Sequence, residues 1–353
     1  METLWFCLVA VMVAMYVLFD GFDLGAGAIH FLVARNNDER RQVIATIGPV
    51  WDGNEVWLLA AGGTLYFAFP LLYASGFSGF YLPLMMVLWL LILRGTAVEF
   101  RNHIESPIWI PFWDFLFSSS SLLLAIFFGA ALGNVVRGVP LDDSGYFFEP
   151  LWTNFQVGDH TGILDWYTVL VGVTALLALM MHGSLWVQLK TTADVRDRCA
   201  RLAAWIWWGV LIFTGLLSMV TFAVQPQVLA NFRTWPAGFI LPAIAIAGLA
   251  GIQFELRRGN ELNAFLASCT YLLGMLTSVV FGVYPMVLPA RNPTYSLTVS
   301  NAKAANYGLK IGLIWWVIGM ILAAGYFIYV YRTFAGKIAA ADTEAPGNIN
   351  SDY

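Results

Sequence analysis

Asp20 and Asp23, and further along Asp52 and Glu55, are four carboxyl groups set within or against long apolar runs. The two stretches read Asp20-Gly21-Phe22-Asp23-Leu24-Gly25 and Trp51-Asp52-Gly53-Asn54-Glu55-Val56-Trp57, with no Lys or Arg close by in sequence. An ionised Asp near the middle of a bilayer costs at least about 2.5 kcal/mol, so it needs a partner, a proton or a wet path. A carboxyl group kept from water favours its neutral form, and a second carboxyl nearby strengthens that preference. Groups held in this way can take and release protons at neutral pH, and proton relays in pumps and transporters are built from them. The competing use is structural. Gly21, Gly25, Gly27 and Gly53 can loosen the helices and free backbone N–H groups, which an Asp can satisfy.

Within each pair the acids are three residues apart, so they share a helix face. A short connection between the two helices predicts an antiparallel hairpin. The helical rise then places Asp23 about 18 Å from Arg35, Asp52 about 16 Å from Arg41, and Asp20 and Glu55 each about 21–23 Å from the same connection. The expected arrangement is two rungs of acids at matched depth, in a path opening to the cytoplasm.

The elements that must position these residues are membrane helices. Of the 353 residues, 59% are hydrophobic and 11% charged, against about 25% charged in soluble domains. Apolar runs of roughly 20 residues recur along the chain, each long enough to cross a hydrocarbon core of about 30 Å. They are too long and too uniformly apolar for a barrel built from alternating segments of about 10 residues. The pattern predicts an all-α polytopic protein with nine transmembrane helices over roughly 3–34, 43–70, 75–100, 110–136, 160–189, 200–225, 235–256, 262–289 and 305–334. Residues 1–337 form a single transmembrane domain, and 338–353 are read as a disordered polar tail. The first apolar run lacks a basic leader and carries two aspartates before Ala26-Gly27-Ala28, so it reads as a retained helix rather than a signal peptide.

Lys and Arg alternate between connections. Arg35, Arg40, Arg41, Arg94, Arg101, Lys190, Arg196, Arg198, Arg201, Arg257, Arg258, Arg332 and Lys337 lie in or beside the odd-numbered connections and the tail. Only Arg137, Arg233, Arg291 and Lys303 lie in the even-numbered ones. Positive charge gathers on the cytoplasmic side, so the N-terminus is expected outside and the C-terminus in the cytoplasm. The long connection 137–160 is then external and acidic, with Asp142, Asp143, Glu149 and Asp159.

Other residues offer less chemistry. Arg94, Glu99, Arg101 and Glu105 are expected to form an interfacial charge cluster where the third helix meets the cytoplasm. Asp114 falls at the start of the fourth helix, where a carboxylate suits the helix dipole or a cap. Only His30 and His182 fall in helices, a poor supply of haem ligands. Cys7, Cys199 and Cys269 are far apart and form no CxxC, which argues against a disulfide framework or a cysteine metal site. No metal site is expected. Walker, Rossmann and zinc patterns are missing, and no nucleic-acid partner is implied. The Trp and Tyr residues near helix ends form an aromatic belt.

At these residues the chain resembles subunit II of the cytochrome bd family of bacterial quinol oxidases, which includes cyanide-insensitive members. The match runs through 20–27, 35–41, 48–58 (GPVWDGNEVWL), Gly62-Gly63, 77–81, 94–105, Trp113-Asp114, Gly133-Asn134 and 138–140, and continues more weakly through Tyr284-Pro285 and Pro289. The resemblance implies a fold of two four-helix bundles plus one peripheral helix. It implies a heterodimer with a haem-bearing subunit I that holds haem b and haem d, or haem b in its place, and oxidises quinol. Subunit II itself would bind no haem, stabilise its partner, and line a cytoplasmic proton path to the oxygen-reducing site. The family's proton-path aspartate falls on Asp52, and another intramembrane acid on Asp23; Asp20 departs from some members. A structural quinone can lie in subunit II. Membrane lipids, the quinol pool and a small single-helix accessory subunit complete the implied partners, in the bacterial inner membrane. The alternative from the acids alone is a proton-coupled secondary transporter. Transporters often carry matching features in two halves, whereas the acid pairs here occur only in the first two helices.

Overall fold

The computed structural model describes residues 1–158 and 161–338. Asp159, His160 and the tail from 339 onward lie outside the described residues, and with them the expectation of a disordered tail. Ile338, at the expected start of that tail, is described and donates its N–H to Lys190 O at 2.7 Å.

Among the described residues the chain forms twelve α-helices and a two-stranded sheet. The helices are α1 (Glu2–Val33), α2 (Asn37–Ala45), α3 (Trp51–Ala68), α4 (Pro70–Gly79), α5 (Tyr81–Phe100) and α6 (Trp109–Arg137). They continue with α7 (Trp166–Lys190), α8 (Ala193–Val224), α9 (Pro226–Thr234), α10 (Ile240–Arg258), α11 (Glu261–Val283) and α12 (Asn306–Thr333). Eight spans are long and apolar enough to cross a membrane: α1, α5, α6, α7, α8, α10 with the short turn Pro236–Phe239 before it, α11 and α12. The chain is therefore a multi-pass membrane protein. Helix α3 is not among the eight, because Asp52, Asn54 and Glu55 in its first turns dilute its apolar character.

Several expected boundaries need correction, each for a local reason. The helix expected over 43–70 is two helices. Gly48 and Pro49 interrupt it, since proline lacks an N–H and crowds the preceding turn, and residues 46–50 form turns between α2 and α3. The helix expected over 75–100 is broken at Phe80 into α4 and α5. Pro70 opens α4 at a position where its missing N–H costs nothing. Helix α7 begins at Trp166 rather than 160, because Asp165 accepts the N–H groups of Tyr167 and Thr168 while the Thr168 hydroxyl accepts the Asp165 N–H. Helix α8 begins earlier than expected. Its first turns carry Asp194, Arg196, Asp197 and Arg198 and extend past the apolar run. The helix expected over 262–289 stops at Val283, and Met286–Leu288 (β1) pairs antiparallel with Leu297–Thr298 (β2).

Helix α1 is the hub, packing against α3, α6 and α7. Helix α5 packs on α6, α6 on α7, α7 on α8 and α11, and α10 on α11. Where α1 crosses α7, Gly25 and Gly183 meet backbone to backbone, and a Cβ on either would overlap the other helix. Small residues let membrane helices approach this closely. The largest core cluster lies around this crossing and includes Phe22, Ile29, Phe117, Leu185, Trp186 and Cys199.

The connections rich in Lys and Arg gather at one end. There Arg198 pairs with Glu39 at 2.6 Å, Arg196 and Lys337 both pair with Glu261 at 2.5 Å, and Gln42 donates to Ile338 O at 2.7 Å. The cation-poor connections meet at the other end. Val139 N–H bonds Pro289 O at 3.0 Å, Ala304 N–H bonds Ala68 O at 2.9 Å, and Lys303 reaches Glu2 at 3.2 Å. The turn after α6 is made by Gly138 at φ +91°, a conformation that side chains with a Cβ rarely adopt.

Candidate functional site

The three-residue spacing of Asp20 and Asp23 puts both on one face of α1, and both are completely buried. Glu55, in the second turn of α3, lies opposite Asp20. Arg94 of α5 inserts between them, with Nη1 at 2.6 Å from Asp20 Oδ1 and Nη2 at 2.9 Å from Glu55 Oε2. The contact to Asp20 is ionic, since neither Asp20 oxygen meets hydrogen-bond geometry. Arg94 is itself 1% exposed. The expected rung joining Asp20 and Glu55 thus exists, bridged by a guanidinium.

The other rung does not form as expected. Asp23 Oδ2 accepts a hydrogen bond from Asn54 Nδ2 at 2.8 Å, not a contact with Asp52. Asn54 is completely buried, and its Oδ1 accepts from the Tyr331 hydroxyl at 2.9 Å. Asp52 lies in the first turn of α3 and is exposed in this chain. The turns at 46–50 remove the continuous helix that its expected depth assumed. Asp52 still shares a face with Glu55 one turn along α3, and the Glu55 side chain is 24% exposed. The order is therefore an exposed carboxyl, a half-buried one and two buried ones.

The interfacial cluster expected of Arg94, Glu99, Arg101 and Glu105 does not assemble. Arg94 serves the acids of α1 and α3, while Glu99 and Glu105 are exposed. Arg101 grips Asp114 with two contacts, Nε to Oδ1 at 2.5 Å and Nη2 to Oδ2 at 3.2 Å. Asp114 is not in a first turn either, because α6 begins at Trp109. It is completely buried and also meets His30 Nε2 at 2.9 Å and Arg40 Nη1 at 3.5 Å. It ties α1, α2, the end of α5 and α6 together, which neither a cap nor a dipole role describes.

Of the helical histidines, His30 bonds Asp114 through Nε2 while its buried Nδ1 has no partner among the described residues, and His182 is engaged through both nitrogens. His182 Nδ1 meets Ser268 Oγ at 2.7 Å and its Nε2 meets Leu18 O at 3.0 Å. Its ring also stacks on Phe265. Among the described residues no group of three or more His, Cys, Asp or Glu side chains could hold a metal ion.

Several participants are missing from the sequence reading. Arg94 sits inside the run Leu90-Leu91-Ile92-Leu93-Arg94-Gly95-Thr96-Ala97-Val98, with no other charge within four residues. That isolation is the signal that could have placed it in the membrane rather than at its edge. Asn54 lies between Asp52 and Glu55, where spacing alone assigns it no role. Tyr331, far along the chain, carried no signal. At the opposite end, Arg137 pairs with Asp165 and with Glu149 (3.0 Å), and Arg291 reaches Glu149 at 2.5 Å.

Carboxyl groups graded from exposed to buried inside a bundle of apolar helices define a membrane protein with internal acid–base groups. The family described as cytochrome bd terminal oxidase subunit II matches residues 1–334. The chain belongs to that family, which makes it a component of an oxidoreductase complex with a subunit I partner. It is 32% identical to the probable cytochrome oxidase subunit 2 of Haemophilus influenzae, over 96% of this chain and 95% of that protein. The cytochrome bd ubiquinol oxidase subunit 2 of Bacillus subtilis is 30% identical over 96% of this chain and 97% of the relative. The structure of bd oxidase from Geobacillus thermodenitrificans superposes with a TM-score of 0.75 at 16% identity, covering 94% of this chain and 98% of that one. At that identity the likeness speaks for the fold.

Proposed function

We propose that this chain is the haem-free subunit II of a cytochrome bd-type quinol:O2 oxidoreductase in the bacterial inner membrane. In this reading it stabilises a haem-bearing subunit I and lines the route by which cytoplasmic protons reach that partner's oxygen-reducing site. The haems, b and d or b alone, belong to the partner, as does quinol oxidation; the engaged ring nitrogens of His182 support this division. A structural quinone, bound lipids and a small accessory subunit are compatible additions. Two four-helix bundles, α1, α3, α5, α6 and α7, α8, α10, α11, joined where α7 packs on α1 and α6, with α12 peripheral and nine crossings, are part of this reading. Loop charge puts the end bearing Glu39, Arg198 and Glu261 in the cytoplasm.

The observation that carries the reading is the imbalance at Arg94. Two carboxyl groups, Asp20 and Glu55, contact one guanidinium, and a third, Asp23, is buried one turn along α1 on the face of Asp20. Ionising all of them would leave net negative charge in a low-dielectric body, at a cost of several kcal/mol per unpaired ion. Protons are the mobile charge that relieves it. Asp52 is the uptake group, Glu55 the next acceptor one turn inward, and Asp20 and Asp23 the buried stores. Arg94 holds the acids together and limits how many are ionised at once.

The test is Asp52→Asn in the purified oxidase. Oxygen consumption should fall while haem content stays normal. Unchanged oxygen consumption removes Asp52 from the path, and loss of haem reassigns it to assembly.

A further inference from the structure

A cavity of about 260 Å³ opens at the end of the molecule bearing Lys190 and Lys337. Thr46, Val50, Trp186 and Tyr331 line it, with residues 333–338. The hydroxyl of Tyr331 donates to Asn54 Oδ1 at 2.9 Å. Asn54 Nδ2 in turn donates to Asp23 Oδ2 at 2.8 Å and to Phe19 O at 3.4 Å. Asp23 Oδ1 is buried and has no hydrogen-bond partner among the described residues.

The chemistry of the amide gives this chain of contacts a direction. A tyrosine hydroxyl facing an amide oxygen donates its one proton. The amide turned that way must present its two N–H groups to the opposite side, where Asp23 Oδ2 and Phe19 O both accept. With Asp23 ionised, the turned amide would set its oxygen against two acceptors, and its N–H groups would face the Tyr331 hydroxyl. Asn54 then engages Asp23 Oδ2 as an acceptor, which favours placing a proton of this carboxyl group on the unengaged Oδ1.

We propose that Tyr331 is a positioning residue for Asp23: acting through Asn54, its hydroxyl fixes which carboxyl oxygen carries the exchangeable proton. The proposal rests on the reading of Asp23 as an acid of the proton path. It gives the last helix a part in that path, although α12 itself contributes no carboxyl group. The ring of Tyr331 also packs on Phe19, Phe327 and Trp186. Phenylalanine would keep that packing, so the hydroxyl can be tested by itself.

The experiment uses the intact oxidase complex carrying Tyr331→Phe, Asn54→Ala, both together, and Asp23→Asn. Infrared spectra of the complex labelled with ¹³C-aspartate, minus that of Asp23→Asn, isolate the Asp23 carboxyl bands. Tyr331→Phe should shift those bands with haem content unchanged and lower turnover about three- to tenfold, the effect of one lost hydrogen bond. Asn54→Ala should shift the same bands, and adding Tyr331→Phe should then move them no further. Bands unmoved in Tyr331→Phe, or two shifts that simply add, overturn the proposal. So does Tyr331→Phe losing haem while Asn54→Ala leaves the Asp23 bands in place. Asp23→Asn with normal turnover would remove Asp23 from the path, a separate failure, because the bands still report whether Tyr331 orients it.

Discussion

Two buried charge groups lie at different places in the helix array and are built on opposite accounts. At the cation-poor end, Arg137 and Arg291 face Glu149 and Asp165, two cations for two anions. Asn134, Thr161 and the Gly162 carbonyl add further hydrogen bonds there. Around Arg94, one cation meets Asp20 and Glu55, with Asp23 buried one turn away, and Asp20 Oδ2 and Asp23 Oδ1 lack hydrogen-bond partners among the described residues. A balanced, bonded group has no use for a mobile proton and holds helices and loops in place. An acid-rich group with open lone pairs can exchange one. The site at Asp114 leans the other way, with one carboxylate among Arg101, Arg40 and His30, and belongs with the structural kind.

The contrast breaks most visibly if Arg137→Leu is tolerated. That change strands Asp165, leaves Glu149 with Arg291 alone, and should cost about 3–5 kcal/mol, read as loss of assembled, haem-containing complex in thermal or detergent challenge. Next in size, Asp52→Asn should lower oxygen consumption about tenfold or more while haem content is kept, within the usual range for losing a proton-transfer group. Equal chemistry at the two sites then sharpens the comparison. Glu149→Gln leaves Arg137 and Arg291 underpaired and should destabilise the complex by about 1–3 kcal/mol, with normal turnover per haem. Glu55→Gln should do the reverse, with stability kept and turnover reduced. If both variants lose stability alone, the acid-rich site is structural too.

The smallest effect is expected at Glu39. Burial by itself would push its carboxyl up, but the Arg198 guanidinium and the Arg35 and Asn36 backbone hold it below the usual range. A depressed folded value stabilises the protein above the unfolded value of about 4.3 and is lost as pH falls through the folded one. Because the pair lies near the surface, Glu39→Gln should cost under about 1 kcal/mol at neutral pH. The difference from the parent protein should vanish in acid, measured by thermal stability at each pH.

Much of this was legible in the chain. The long apolar runs mark the membrane helices, and the Lys and Arg pattern sorts the connections into two sets that do gather at opposite ends. The acids of α1 and α3 stand out because charge is so rare around them. Reading failed where local irregularity or distant partners decide. Gly48-Pro49 breaks a helix that hydropathy runs straight through. The charged start of α8 is invisible to an apolar window. Arg94 and Arg101, seven residues apart and expected in one cluster, serve acids on different helices.

Sequence alone determined that this is a multi-pass helical protein with carboxyl groups inside it, because the cost of burying charge makes each such residue conspicuous in one dimension. Tertiary structure decided their partners. Which of four acids meets Arg94, which is turned to Asn54 and which is left exposed depends on helix rotation and on breaks in the helices. A hydrogen bond across 277 residues, from Tyr331 to Asn54, leaves no trace in spacing along the chain.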